Sequence, residues 1–240
     1  MAGAGGPRPL KSRVLAVLYD IHGNLPALDA VLADASAAGA GRYLLGGDYA
    51  LFGAWPRETV DRLDALAGAT WIRGNGERWT NAPAESPADL MIRRAARCCA
   101  EELGVMDVAR LAALPFDAVV DGVRFCHASP VSDVAGLTAS PGEGEAALLA
   151  EVRERQLVVG HTHLQFSRTT ADGELSLVNP GSVGMPFDGD PRAAYALIAD
   201  DGVVELRRVE YDYAASAAAV RERLGDWAEL FARRIETARF

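Results

Sequence analysis

Apolar residues along the chain fall into short runs of strand length, and each of the first three runs ends in a polar, glycine-rich loop. Residues 14–19 are continuously apolar and stop at Asp20-Ile21-His22-Gly23-Asn24. A helix is predicted to start there, with Asn24 as its cap, Pro26 in its first turn, and Leu28, Val31, Leu32 and Ala35 marking one face. The pattern recurs in residues 43–45, a predicted strand that runs into Gly46-Gly47-Asp48, and in the predicted helix 56–67. A third strand, 70–72, runs into Gly74-Asn75-Gly76-Glu77. Alternating strands and helices predict a parallel α/β sheet, whose loops at the carboxyl ends of the strands collect at one edge, where such sheets bind ligands.

Residues 83–114 are polar and then helical, with Leu90, Arg93, Arg94 and Arg97 among alanines, and are expected to form a small helical cap over those loops. Val119-Val120, the turn Asp121-Gly122 and residues 123–126 read as a hairpin whose second strand delivers His127. Residues 129–144 have no period and read as a surface loop. A helix over 145–154 then precedes a strand over 157–159 that runs into Gly160-His161-Thr162-His163. Short strands are predicted at 166–169, 175–178, 194–198 and 203–209, with turns at Asp172-Gly173 and Asp201-Gly202. Val220, Leu224, Trp227 and Phe231 lie at helical spacing and predict one final helix that packs its stripe on the core. Residues 1–13 read as a disordered extension and 14–240 as one domain.

Composition narrows the classes. The chain has 240 residues, half of them apolar and 24% charged, which is enough to bury a sizeable core. No apolar run reaches the length of a membrane span, and the start lacks a secretory signal, so a cytoplasmic protein with no membrane partner is expected. A formal charge of −9 argues against a stable nucleic-acid partner, whose phosphates would need clustered Lys and Arg. Three cysteines with no Cys-x-x-Cys pairing suggest neither a disulfide framework nor a structural zinc site, and they fit a reducing compartment.

The candidate chemistry lies in the histidines. There are four, His22, His127, His161 and His163, and each ends a predicted strand beside a polar loop. Asp20, Asp48 and Asn75 occupy the corresponding positions after the other strands. Four imidazoles, two carboxylates and an amide oxygen suit two metal ions better than one, with one carboxylate bridging and room left for water or a substrate oxygen. Nitrogen and oxygen ligands without thiolate favour Mn²⁺, Fe²⁺, Zn²⁺ or Ni²⁺, with Mn²⁺ foremost.

Asp20-Ile21-His22-Gly23-Asn24, Gly47-Asp48, Gly74-Asn75, His127 and Gly160-His161-Thr162-His163 stand in the order and approximate spacing of the calcineurin-like metallophosphoesterase superfamily. Asn179-Pro180-Gly181-Ser182-Val183-Gly184 resembles the Asn-Pro-Gly-Ser segment of its small bacterial and archaeal phosphodiesterase-like branch. The resemblance spans about residues 14–199. It implies an α/β fold, a four-layer αββα sandwich with a dinuclear site between strand ends. It places Asp20, His22 and His163 on one metal and Asn75, His127 and His161 on the other, with Asp48 bridging. It further implies a metal-bridging hydroxide that attacks phosphorus in line, with Asn75 and His127 in the catalytic set and Asn75 orienting a phosphate oxygen.

One departure matters. Many superfamily phosphatases carry Gly-Asn-His-Asp or Gly-Asn-His-Glu, whose His protonates the leaving oxygen; here Gly76 follows Asn75. Small phosphodiesterase-like relatives lack that His as well. The expected activity is therefore phosphodiester hydrolysis of small substrates with good leaving groups, with dinucleoside polyphosphates or phosphomonoesters as alternatives within the enzyme class. A catalytically weak, metal-binding protein-interaction scaffold is the alternative of another class. Asn24, Gly76, Glu77 and Arg78 are the candidate substrate contacts; Glu77 is also a substitute acid or an acceptor that fixes a ligand loop, and Trp79 an aromatic contact. The resemblance also suggests a homo-oligomer, although no exposed apolar patch is legible in the sequence.

Overall fold

The computed structural model describes residues 14–240, so the extension expected at 1–13 lies outside the described residues. Among the described residues ten strands, numbered in chain order, are β1 (Val14–Leu18), β2 (Ala40–Leu45), β3 (Thr70–Trp71), β4 (Asp117–Val120), β5 (Val123–Cys126), β6 (Gln156–Val158), β7 (Phe166–Thr169), β8 (Ser176–Asn179), β9 (Ala193–Ile198) and β10 (Val204–Val209). β1 is apolar at every position because both of its faces are covered. It pairs in parallel with β2 and antiparallel with β9, in a sheet ordered β10-β9-β1-β2-β3. The second sheet is ordered β4-β5-β6-β8-β7, with β5, β6 and β8 parallel.

The two sheets pack face to face across Val17, Tyr19, Leu44, Ile72, Phe125, Val158 and Val178, all fully buried. The outer face of the first sheet is covered by α1 (Leu25–Ala37), α2 (Pro56–Asp64), α4 (Leu90–Ala112), α6 (Tyr213–Leu224) and α7 (Glu229–Thr237). The outer face of the second is covered more thinly, by α5 (Glu145–Leu149) and the flanking Leu137 and Val152. The expected four-layer αββα sandwich is the observed architecture.

Three elements differ from expectation. Gly74 to Glu77 opens a helix, α3 (Asn75–Asn81), although its two glycines read as loop; the Glu77 carboxylate accepts the Gly74 N–H at 2.8 Å and caps the first turn. The helix at 145–154 stops at Leu149. The final stripe is divided between α6 and α7, because Gly225 at φ 86° turns the chain between them. The 83–114 segment is a short 3₁₀ turn (Pro83–Glu85) followed by α4, which breaks at Gly104. Its Ala95, Ala96, Cys99 and Leu103 are buried in the helical layer, and its first turn faces the site described below.

Asn24 ties the layers together at the head of α1. Its oxygen accepts from the Ala27 N–H (3.4 Å) and the Ser216 hydroxyl (3.0 Å), and its nitrogen donates to the Gly184 carbonyl (2.8 Å) and the Tyr211 hydroxyl (3.1 Å). Truncation removes a cap and leaves buried partners unpaired, so Asn24→Ala is expected to lose about 2–3 kcal/mol in urea denaturation. An unshifted midpoint would contradict this role.

Candidate metal centre

The loops after β1, β2, β3, β5 and β6 meet at the carboxyl ends of the strands and bring all seven predicted ligands together. Backbone hydrogen bonds hold the first two loops side by side beyond the strands, from Asp20 N to Gly47 O (3.2 Å), His22 N to Asp48 O (2.9 Å) and Gly23 N to Tyr49 O (2.8 Å). Five of these seven residues sit at positive φ: Asp20 (54°), His22 (51°), Asp48 (56°), His161 (64°) and His163 (57°). Left-handed backbone is sparsely populated by residues other than glycine, though Asp and His enter it more readily than most. Strain is thus gathered where the side chains must turn inward, a hallmark of functional sites.

Three imidazoles have a fixed tautomer. His22 Nδ1 lies 2.9 Å from the Leu51 carbonyl, His127 Nδ1 2.9 Å from the Gly46 carbonyl and His163 Nδ1 2.6 Å from the Met185 carbonyl. A carbonyl only accepts, so each Nδ1 carries the proton and each Nε2 of the neutral ring presents a lone pair to the interior. His22 Nε2 and His163 Nε2 face each other at 3.1 Å. Two lone pairs at that distance require a proton or a cation between them. Asp20 Oδ1, fully buried and without a hydrogen-bond partner, lies 3.4 Å from His163 Nε2 and 3.9 Å from His22 Nε2 and His127 Nε2. An orphaned buried carboxylate oxygen beside two facing lone pairs is the donor set of a divalent cation, and the residues present fit one.

Among the described residues, two groups bring ligand atoms within 4.8 Å of one another: Asp20, His22 and His163, and Asp20, Asp48 and His127. Asp48 points Oδ1 to His127 Nε2 (3.5 Å) and Oδ2 to His22 Nε2 (3.9 Å), one oxygen toward each group. The Asn75 amide adjoins the second group: its nitrogen lies within hydrogen-bond distance of His161 Nδ1 (2.8 Å), His127 Nε2 (3.0 Å) and the Asp133 carbonyl (3.0 Å). His161 is the most open of the four imidazoles, and its backbone N–H fixes Asp20 Oδ2 at 2.9 Å.

The electrostatics agree with a cation site. Burial pushes His22 down to about 3 and His161 down to about 4, so both rings are neutral and free to ligate. Burial also pushes Asp48 up, opposed by His127 and reinforced by the Glu77 and Asp20 carboxylates. Burial alone would lower His127, but the Asp48 and Asp20 carboxylates outweigh it and raise the ring. Asp20 is lowered because His163, His127 and His22 overcome its desolvation.

The expected substrate contacts are placed differently. Asn24 is committed to the cap and network described above. Glu77 is turned inward and buried, where its carboxylate accepts the N–H groups of Asp48 (2.9 Å), Tyr49 (2.8 Å) and Gly74 (2.8 Å), so it braces the ligand loops. Gly76 donates its N–H to Asp48 Oδ1 at 2.6 Å; a Cβ there would lie 2.8 Å from the same oxygen, so Asp48 occupies the space a side chain would need. Arg78 is held by both oxygens of Asp133 (2.7 Å each) and by Glu85 (3.3 Å). None of these four lines the cavity that opens onto the ligands, whereas Trp79 does.

Several supporting residues have roles that the sequence does not spell out. Ser182 donates its hydroxyl to the Asp20 carbonyl (2.7 Å) and accepts the Met185 N–H (2.8 Å), while Gly184 N–H reaches the Asp20 carbonyl (3.1 Å). Gly184 is obligatory because a Cβ would lie 1.9 Å from the Ile21 carbonyl oxygen. Asn179 holds the His161–His163 turn through the Gly160 carbonyl and the Thr162 hydroxyl, both at 3.0 Å. Phe187 stacks on His163 with ring centroids 4.3 Å apart. The Asn-Pro-Gly-Ser pattern at 179–182 was the legible trace of this loop.

A family model described as the calcineurin-like phosphoesterase superfamily domain matches residues 14–201. An uncharacterized protein of Methanocaldococcus jannaschii is 29% identical over 237 residues, covering 89% of this chain and 95% of that protein. The crystal structure of a metallophosphoesterase from Sphaerobacter thermophilus superposes with a TM-score of 0.81 at 26% identity, over 94% of this chain and 99% of that one. A hypothetical protein from Pyrococcus horikoshii shares the fold, with a TM-score of 0.80 at 23% identity over 91% of this chain and 97% of that one.

The brace is testable without any assumption about activity. Glu77→Ala removes the acceptor of three buried N–H groups and is expected to cost about 3 kcal/mol or more in denaturant unfolding. A loss below about 1 kcal/mol would show that the ligand loops hold their shape without it.

Proposed function

The chain belongs to the calcineurin-like phosphoesterase superfamily, and we propose that it is a phosphodiesterase acting on small phosphodiesters with the aid of two divalent ions, Mn²⁺ foremost. The observation that supports this most is the pair of inward lone pairs on His22 and His163 beside the orphaned Asp20 Oδ1. Asp20, His22 and His163 would hold one ion, and His127, His161 and Asn75 the other, with Asp48 shared between them. Asn75 would turn its amide so that the oxygen, not the nitrogen, meets the second ion. When bound, such ions supply hydroxide near neutral pH and stabilise charge on the transferring phosphoryl group.

The chain's own residues set the rest. The carbonyls of Leu51, Gly46 and Met185 hold the three pinned rings in one tautomer, with Nε2 of each turned toward the site. Burial of Asp20 and Asp48 keeps water from screening them. Two divalent ions held there would bring about +4 against about −2 from the aspartates, so the site would be positive toward a phosphate anion in an acidic protein.

Gly76 bears on the substrate class. Residue 76 is glycine, so no imidazole follows Asn75 to protonate a leaving oxygen. The four histidines are all drawn into the ligand set. Esters whose leaving group departs as a stable anion are therefore the substrates this site favours, and monoesters of ordinary alcohols are disfavoured.

Two measurements follow. Hydrolysis of bis(p-nitrophenyl) phosphate is expected to require added Mn²⁺ or a similar ion, to stop with chelator, and to fall about 100-fold or more in Asp48→Ala and His161→Ala. Unchanged turnover in both variants would reject the reading. Across aryl phosphodiesters of rising leaving-group pKa, kcat/KM is expected to fall steeply, by at least about tenfold between p-nitrophenol and phenol. A flat profile would show that the chain supplies a general acid after all.

A further inference from the structure

The cavity over the ligands is walled by Phe52, Trp79, Met185, Phe187, Phe231 and Phe240, has a volume of about 450 Å³ and is mainly apolar. It is of the size and character of a small-molecule site. Among the described residues one cation lines it, Arg234 from α7. Its guanidinium lies 4.2 Å from the Phe240 ring centroid and 5.6 Å from that of Phe187, the ring that stacks on His163 at 4.3 Å. Arg234 Nε is buried without a hydrogen-bond partner, and among the described residues no carboxylate stands within ion-pair distance of this side chain. Asp89 also lines this cavity and acts on Arg234 through its charge; its Oδ1 caps α4 by accepting the N–H groups of Met91 (2.7 Å) and Ile92 (3.1 Å).

An unpaired, half-buried guanidinium is costly unless it serves a ligand. The contrast with its neighbours is informative. Arg78 is saturated by Asp133 and Glu85, and Arg221 of α6 by Glu229 and Glu236. Among the described residues, Arg234 alone of these three has neither an ion pair nor a side-chain hydrogen bond, and it lies over the rings of Phe187 and of the exposed Phe240, contacts that consume none of its donors. The family model ends at residue 201, so α7 and its arginine lie outside what that match describes.

We propose that Arg234 is a specificity residue that binds a second anionic group, a phosphate remote from the scissile one, on a substrate whose flat aromatic portion lies against the phenylalanine wall. The chemical class is a nucleotide-like phosphodiester bearing an additional phosphate. This rests on the phosphodiesterase reading above for the reaction, but not for the binding. Arg234 touches neither the reacting phosphorus nor the ligand atoms. It contributes affinity and register, the planar fork meeting two phosphate oxygens at once.

The test compares thymidine 5′-(p-nitrophenyl phosphate) with the same compound carrying a 3′-phosphate, using the full chain loaded with Mn²⁺. The wild type is expected to favour the phosphorylated substrate by about tenfold or more in kcat/KM, mainly through KM. Arg234→Gln is expected to abolish that ratio while leaving the unphosphorylated substrate within about twofold, and Arg234→Lys to keep part of it. A merely structural role would lower both substrates alike and leave the ratio intact, and that result would overturn the proposal, as would a wild type with no preference. Calorimetric binding of adenosine 3′,5′-bisphosphate against adenosine 5′-monophosphate supplies a readout free of turnover. If neither ester is hydrolysed, the reaction assigned above fails, while loss of the affinity difference in Arg234→Gln still supports the arginine's role and an unaltered difference still rejects it.

Discussion

Two imidazole nitrogens facing each other at 3.1 Å, each with its other nitrogen donating to a backbone carbonyl, set the terms for the rest of this molecule. The arrangement is repulsive for neutral rings unless positive charge lies between them. It persists because the carbonyls that pin it belong to separate, well-held loops: Leu51 follows β2, and Met185 belongs to the segment between β8 and β9. The two sheets exist, from this standpoint, to bring strand ends from both halves of the chain to one point. The left-handed backbone at Asp20, His22, Asp48, His161 and His163 is the local cost of turning those ends inward.

Around that point the protein arranges support in widening circles. Glu77 gathers three N–H groups and so fixes the loops after β2 and β3 against each other. Ser182 and Gly184 fix the carbonyl of Asp20, and Asn179 fixes the turn that carries His161 and His163. Such partners set the orientation and basicity of ligands as much as the ligand identities do. The formal charge of −9 belongs to the whole chain; divalent cations held by the proposed ligands would make the site locally positive.

Much of this was legible in the sequence, for identifiable reasons. Strands buried on both faces read as unbroken apolar runs, so β1 and β9 were clear, and β7 fell at its predicted bounds. The ligands stood out because strand ends followed by polar loops are local features. What escaped notice was non-local. Nothing around Glu77 shows that its carboxylate faces the interior, since its three partners come from loops 28 and 29 residues upstream as well as from its own turn. Arg78 looked available because its partner Asp133 lies 55 residues away. Arg234 was hidden in a segment read only as a core-packing stripe, and the glycine that splits that stripe, Gly225, is what lets α7 approach the cavity.

The central claim is that Asp20, His22, Asp48, Asn75, His127, His161 and His163 together hold a pair of divalent cations. Equilibrium dialysis of the chelator-treated chain against Mn²⁺, with elemental analysis of the retained metal, tests it most directly. The account predicts two ions per chain for the wild type and a loss of at least one in His163→Ala with the fold intact by circular dichroism. A correctly folded wild-type chain that retains no divalent ion would contradict it.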